Sequence, residues 1–183
     1  MKATGIVRRI DDLGRVVIPK EIRKTLRIRE GDPLEIFTDK DGEVILKKYS
    51  PIGELSEFAL QYAETLAKTS GHVACITDTD TVIAVSGASK REFLDKSVSH
   101  ELEKIMNDKT TWVTHNANEK RIPLFSNEAP DKYYAQVISP IVSEGDTIGS
   151  VVLMSTDTSA QMGDAEIKLA QSAAGFLGRQ MEQ

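Results

Sequence analysis

The sequence predicts an α+β protein: a small β-rich head joined to a larger α+β body that two long helices bracket. Three observations carry that expectation. The first 50 residues read as hairpin, helix, hairpin. Apolar residues recur at heptad-like spacing over about 51–70 and again over about 161–182. Between those stripes the apolar runs are short, β-branched and separated by turn signals.

In the head, residues 4–10 predict a strand, Asp11-Asp12-Leu13-Gly14 a turn, and Arg15–Ile18 a second strand closed by Pro19. Pro19 then opens a short helix, because a missing N–H costs nothing at the first helical position. Ile22 and Leu26, four apart, share one face of it. Gly31-Asp32-Pro33 ends the unit. Residues 34–39 and 43–48 predict two more strands, joined at the hairpin signal Lys40-Asp41-Gly42. Only sixteen Val, Ile, Leu and Phe side chains lie between Ile6 and Leu46. A unit this small needs a staple, and it has neither a disulfide nor a Cys/His metal set. Self-association is the staple that remains, so residues 1–50 are expected to form an obligate dimer.

The body, residues 51–183, opens on Ser50-Pro51, an N-cap followed by a proline at the first helical position. The helix runs to about Ser70, with Gly71 as its stop. Leu55, Ala59, Tyr62 and Leu66 repeat along it, as Ile167, Ala170, Ala174, Leu177 and Met181 do near the C-terminus. Each stripe either packs on its own domain's sheet or pairs with its mate in a second subunit. The likeness of the two stripes favours the second arrangement, a four-helix bundle at an oligomer interface. Between them, Val73–Thr77, Val82–Ser86, Arg121–Ser126, Tyr134–Val142 and Ile148–Ser155 read as strands. Asp78-Thr79-Asp80 and Ser143-Glu144-Gly145-Asp146 read as hairpin turns, and Ser97 as the cap of a helix reaching about Asp108. This is the layout of an α+β sensory domain.

Composition narrows the function. The net charge is −5, but residues 1–50 hold twelve Lys and Arg against nine Asp and Glu, while the rest holds eleven against nineteen. A basic head on an acidic body is the asymmetry expected when one end meets a polyanion. The single Cys75 sits in an apolar run and fits a core residue in a reducing cytosol, so the chain reads as cytoplasmic. No apolar stretch is long enough to span a bilayer, and no signal-peptide core is present.

The head's cations fall where nucleic acid would want them. With residues 11–14 as the turn, Ile10 faces Arg15, and Arg8 faces Val17 on the face that carries Arg15. A two-stranded ribbon is one of the shapes that fits the DNA major groove. On the helix, Arg23, Lys24 and Arg27 avoid the Ile22/Leu26 face. The run Lys2-Ala-Thr-Gly-Ile-Val-Arg-Arg-Ile-Asp-Asp-Leu-Gly-Arg-Val-Val-Ile-Pro-Lys-Glu-Ile-Arg-Lys-Thr-Leu26 resembles the swapped-hairpin DNA-binding domain of AbrB-type transition-state regulators. The likeness extends through Leu34-Glu-Ile and Val44-Ile-Leu-Lys-Lys-Tyr49, and Gly14–Pro19 is its most specific part. The resemblance implies that hairpins of two subunits interleave and that Arg8, Arg15, Arg23 and Lys24 contact double-stranded DNA, with Arg9 and Arg27 as weaker candidates. AbrB itself has Arg where Lys24 stands; Lys24 can still hold phosphate but lacks the fork for a bidentate base contact. The whole chain resembles sporulation regulators of endospore-forming bacilli. That likeness implies a GAF-like body, a tetramer held by the C-terminal helices, and activation and repression of forespore genes.

No catalytic constellation, metal site or cofactor motif is legible. His72, His100 and His115 lack metal-ligand spacing. Ser86-Gly-Ala-Ser-Lys90 lacks the full phosphate-loop pattern, and no Ser has a Gly-x-Ser-x-Gly surround. Trp112, Tyr133 and Tyr134 are candidates to line a pocket for an unidentified small-molecule ligand, or simply core residues. The competing reading of the same head is an antitoxin of a toxin–antitoxin pair, whose C-terminal tail would be short. A long body with two capped helices argues against it.

Overall fold

The computed structural model describes residues 4–54, 56–128 and 132–182. The chain divides into two compact units, Met1–Tyr49 and Ser50–Gln183.

In the head, helix α1 (Lys20–Thr25) follows Pro19, which stands at its N-cap rather than at its first turn. The chain leaves α1 through Leu26 and then Arg27, whose φ of 53° is left-handed. Strands β1 (Leu34–Thr38) and β2 (Val44–Lys48) form an antiparallel hairpin with Thr38 opposite Val44. Its turn is closed by Asp39, whose Oδ1 accepts the N–H groups of Asp41 and Glu43 at 3.0 and 2.9 Å. Gly42 supplies the positive φ of 81° there.

The strands expected over 4–10 and 15–18 do not form within one chain. These segments are arms meeting only at their turn, where the Asp11 N–H donates to Arg15 O and the Gly14 N–H to Asp11 O, both at 3.0 Å. The closure therefore pairs Asp11, not Ile10, with Arg15. None of the sixteen aliphatic and aromatic side chains between Ile6 and Leu46 is buried, and among the described head residues only Pro19 is. Val7 is 85% exposed and Val17 69%. A strand is stable only when its backbone groups and one side-chain face find partners. A single copy supplies neither for these arms.

The body is built around a five-stranded sheet of order β4-β3-β7-β6-β5, antiparallel throughout. The strands are β3 (Val73–Asp78), β4 (Val82–Ser86), β5 (Trp112–Thr114), β6 (Ala135–Ser143) and β7 (Asp146–Ser155). The β6–β7 hairpin turns at Glu144 and Gly145, both with positive φ, as the Ser143–Asp146 signal predicted. Side chains alternate between two cores. Ala74, Ile76, Val137, Val151 and Leu153 face a layer made by α3 (Ser56–Ser70) and α6 (Asp164–Gln180), with the short turn α2 (Pro51–Glu54) beside it. Cys75, Ile138, Val152 and Met154 face α4 (Lys90–Phe93) and α5 (His100–Asp108).

Two body expectations need correction. Residues 121–126 are not a strand; their backbone bonds run largely to side chains. The buried Gln136 accepts from Ile122 N at 2.5 Å and donates to Ile122 O at 3.0 Å, and Ser99 Oγ donates to Pro123 O at 2.5 Å. The edge strand beside β6 is instead β5. The cap of α5 is Ser99, whose Oγ accepts the Leu102 N–H at 3.0 Å, while Ser97 bridges to Thr81.

Two glycines let backbones touch. A Cβ on Gly149 would lie 2.0 Å from Thr77 O, and one on Gly178 would lie 2.1 Å from Val142 O. Helix α6 therefore rests directly on the β6 main chain.

Candidate nucleic-acid interface

The head presents its cations from two places. Arg8 and Arg9 lie on the first arm and Arg15 at the start of the second, and all three are exposed. Arg23 and Lys24 lie on the last turn of α1, also exposed. There they complement the negative end of the helix, as well as being available to a polyanion. Arg27 lies past α1 and is half-buried, and its carbonyl accepts Lys48 Nζ at 3.2 Å. Lys48 also pairs with Asp32 at 3.0 Å. The Arg27 carbonyl is thereby part of the head's own framework.

Arg15 of the exposed set has a carboxylate partner, Asp11, that the sequence pattern did not single out. Asp11 Oδ1 accepts the Leu13 and Arg15 N–H groups at 3.0 and 2.7 Å, and Asp11 Oδ2 accepts Arg15 Nε–H at 2.8 Å. The Arg15 backbone N–H and guanidinium together hold the Asp11 carboxyl below its ordinary value. The signal was present as an Asx-turn residue four before an Arg, but it reads first as turn chemistry.

The helix stripes sit differently from the four-helix expectation. Ala59, Leu66, Ala170, Ala174 and Leu177 are buried in the body's own core against the sheet. Tyr62 and Ile167 are half-buried at its margin, and Leu55 lies outside the described residues. The face left to solvent carries a different feature. The Phe58, Tyr62 and Phe176 rings stand 5.6 to 6.2 Å apart, with Phe176 42% exposed. A heptad stripe cannot tell a sheet from a second helix, because both take up the same face.

On the opposite side of the sheet, a cavity of about 530 Å³ is bordered by Glu119, Lys120, Arg121, Glu128, Tyr133 and Tyr134. Tyr133 is buried against Phe93, with ring centroids 5.9 Å apart. Trp112 does not border the cavity; it lies on β5 and donates from Nε1 to Thr114 Oγ1 at 3.3 Å. Arg121 Nη1 and Glu128 Oε2 are 3.3 Å apart, both nearly buried. Burial pushes the Glu128 carboxyl up, against the Leu124 N–H and Arg121, which pull it down. Burial likewise pushes the Cys75 thiol up, so it is no thiolate. Among the described residues, no group of three His, Cys, Asp or Glu could hold a metal ion, and no helix is long and apolar enough to cross a membrane.

Residues 54–182 match the family described as stage V sporulation protein T C-terminal, transcription factor. Residues 7–54 match that described as antidote-toxin recognition MazE, bacterial antitoxin. The chain is 56% identical over 183 residues to stage V sporulation protein T of Bacillus subtilis (strain 168), covering 100% of each. It is 55% identical over 69 residues to transition state regulatory protein AbrB of the same organism, covering 34% of this chain and 71% of that one. The GAF domain of an Acinetobacter phosphoenolpyruvate-protein phosphotransferase superposes with a TM-score of 0.59 at 13% identity, over 69% of this chain and 81% of its own. The body therefore has a GAF-like fold.

Proposed function

This chain belongs to the stage V sporulation protein T family, and from that premise we propose that it is a DNA-binding transcription regulator of sporulation genes, acting in the forespore as both activator and repressor. The observation that carries this is full-length identity to one such regulator, with basic side chains exposed on the matching head. Residues 1–50 are the DNA-binding domain and 51–183 the regulatory and oligomerisation domain. The protein works in the cytoplasm and is not an enzyme. Arg8, Arg15, Arg23 and Lys24 are the DNA contacts, with Arg9 and Arg27 secondary.

The head dimerises through its arms, whose apolar side chains are exposed in a single copy. Two dimers join through the C-terminal helices, and the exposed Phe176 ring, with the half-buried Phe58 and Tyr62 rings beside it, is the surface we assign to that contact. The cavity beside Tyr133 and Tyr134 is the candidate seat of a small-molecule signal. The antitoxin alternative, which the match of residues 7–54 shares, sits poorly with a body that holds two cores of its own.

Gel-shift titration of the full chain carrying Arg8→Ala, Arg15→Ala or Arg23→Ala tests the reading. Each variant should bind weakly while sedimenting as the parent does. If all four cations per subunit met phosphate in a dimer, the log–log salt slope of the parent would be about −7, an upper bound that shrinks with each arginine that reads a base instead. Variants that bind like the parent would sink the residue assignment.

A further inference from the structure

We propose that Asp11 is a specificity-determining residue: it occupies the Nε edge of the Arg15 guanidinium and leaves the Nη1/Nη2 fork as the edge that meets DNA. The inference rests on the reading of Arg15 as a DNA contact. Its ground is the pair of roles one carboxylate plays. Oδ1 builds the turn by accepting the N–H groups of Leu13 and Arg15, at 3.0 and 2.7 Å. Oδ2 holds Arg15 Nε at 2.8 Å. Arg15 is otherwise a free-swinging side chain, 68% exposed, and Asp11 is the carboxylate that gives it a direction.

A guanidinium offers two flat two-donor edges, one through Nε and one through the two terminal nitrogens. Either can clasp a phosphate or the O6/N7 edge of guanine. With Nε occupied, only the terminal fork remains. The carboxylate beside it also repels phosphate oxygens, so a backbone contact is the less favoured use of that fork. Asp11 thus gives up some sequence-independent attraction in exchange for a fixed approach to a base edge. Fixing the approach of a side chain with two or more free torsions restricts which base it can satisfy.

The test uses the full chain and two labelled duplexes of equal length and composition. One is enriched by the parent from a random pool; the other is the same sequence scrambled. Asp11→Asn is the informative change, because an amide Oδ1 still accepts both turn N–H groups while Nδ2 cannot accept Arg15 Nε. The affinity ratio between duplexes should fall about tenfold, the effect of losing one oriented base contact. Affinity for the scrambled duplex should hold within about twofold or rise, since a repelling charge is gone. Adding Asp11→Asn to Arg15→Ala should change the ratio between the duplexes no further.

A ratio left intact by Asp11→Asn overturns the proposal. So does an equal loss on both duplexes, which is the mark of a merely structural turn residue, and so does a parent ratio near one. If Arg15→Ala binds both duplexes like the parent, the failure lies with the DNA-contact reading itself. Should Asp11→Asn lose its fold by circular dichroism, Arg15→Lys decides. It keeps the charge and lacks the fork, so it should lose the ratio while keeping scrambled-duplex affinity, and an unchanged ratio overturns the proposal.

Discussion

The two units of this chain solve the burial problem in opposite ways. The body hides Ile76, Ile138, Val152 and Leu153 completely within one copy, and its sheet is covered on both faces. The head has a comparable taste for β-branched residues, yet leaves Val7, Val16 and Val17 in solvent. Transfer of such side chains out of water is worth roughly 1.5–3 kcal/mol each, a gain that a single copy of the head leaves unrealised. The difference teaches where each unit's stability resides. The body's is intramolecular, whereas under the proposed dimer the head's is a property of two chains and so depends on concentration.

The largest expected effect attacks that contrast directly. Val7→Asp changes a residue that a single copy exposes, and an exposed substitution ordinarily costs within about 0.5 kcal/mol. If the arms interleave, each dimer instead buries two carboxylates, and DNA affinity should fall at least about a thousandfold, with head dimers lost by sedimentation. A variant indistinguishable from the parent would mean that the head stands alone.

The next effect belongs to the body. Gly178→Ala places a methyl against Val142 O and should cost about 3 kcal/mol, read as a drop of roughly 10 °C in the thermal midpoint of the body. DNA affinity measured below that midpoint should stay near the parent's, because the head's stability is separate. Loss of both together would erase the contrast.

A smaller change sharpens the head's side of it. Arg23→Ala should weaken binding about tenfold and flatten the salt slope by about 2 per dimer, two phosphate contacts being gone. An unchanged slope would move Arg23 from phosphate to base, or off the DNA.

The smallest effect is in the body's pH response. Burial lifts the folded Glu128 above its ordinary 4.5. A folded state that holds its proton more tightly is favoured at low pH and loses that advantage as pH rises through the folded value. Glu128→Gln removes this term, so its unfolding free energy should vary less with pH from about 4.5 upward than the parent's, by less than about 1.4 kcal/mol per pH unit. A parallel pair of curves would exclude Glu128 as a contributor.

Much of this architecture was legible from local pattern. Val82–Ser86 is a strand at the limits its sequence predicts, and the turns at Gly42 and Gly145 fall where left-handed backbone demands glycine. The 3.6-residue period located α6, which runs Asp164–Gln180, inside the expected 161–182. What failed depended on partners far along the chain. Residues 121–126 have strand composition, but Pro123 lacks an N–H and Gln136 and Ser99 supply bonds a neighbouring strand would have made. The helix stripes gave the correct face and left its occupant open, so Ala59, Ala170 and Leu177 meet a sheet. In the head, residue type and position singled out the arginines as candidates. The role of Asp11 was hidden because a turn former and a guanidinium anchor look alike in one dimension.

Gly178 has a mechanical consequence. Most helices ride on a sheet through a cushion of side chains, which can shear and re-pack to absorb small displacements. Here one turn of α6 lies bare against a carbonyl of β6, two residues from Phe176. A tilt of that strand passes into the helix with no compliant layer between, so the sheet and the aromatic ridge behave as one stiff plate.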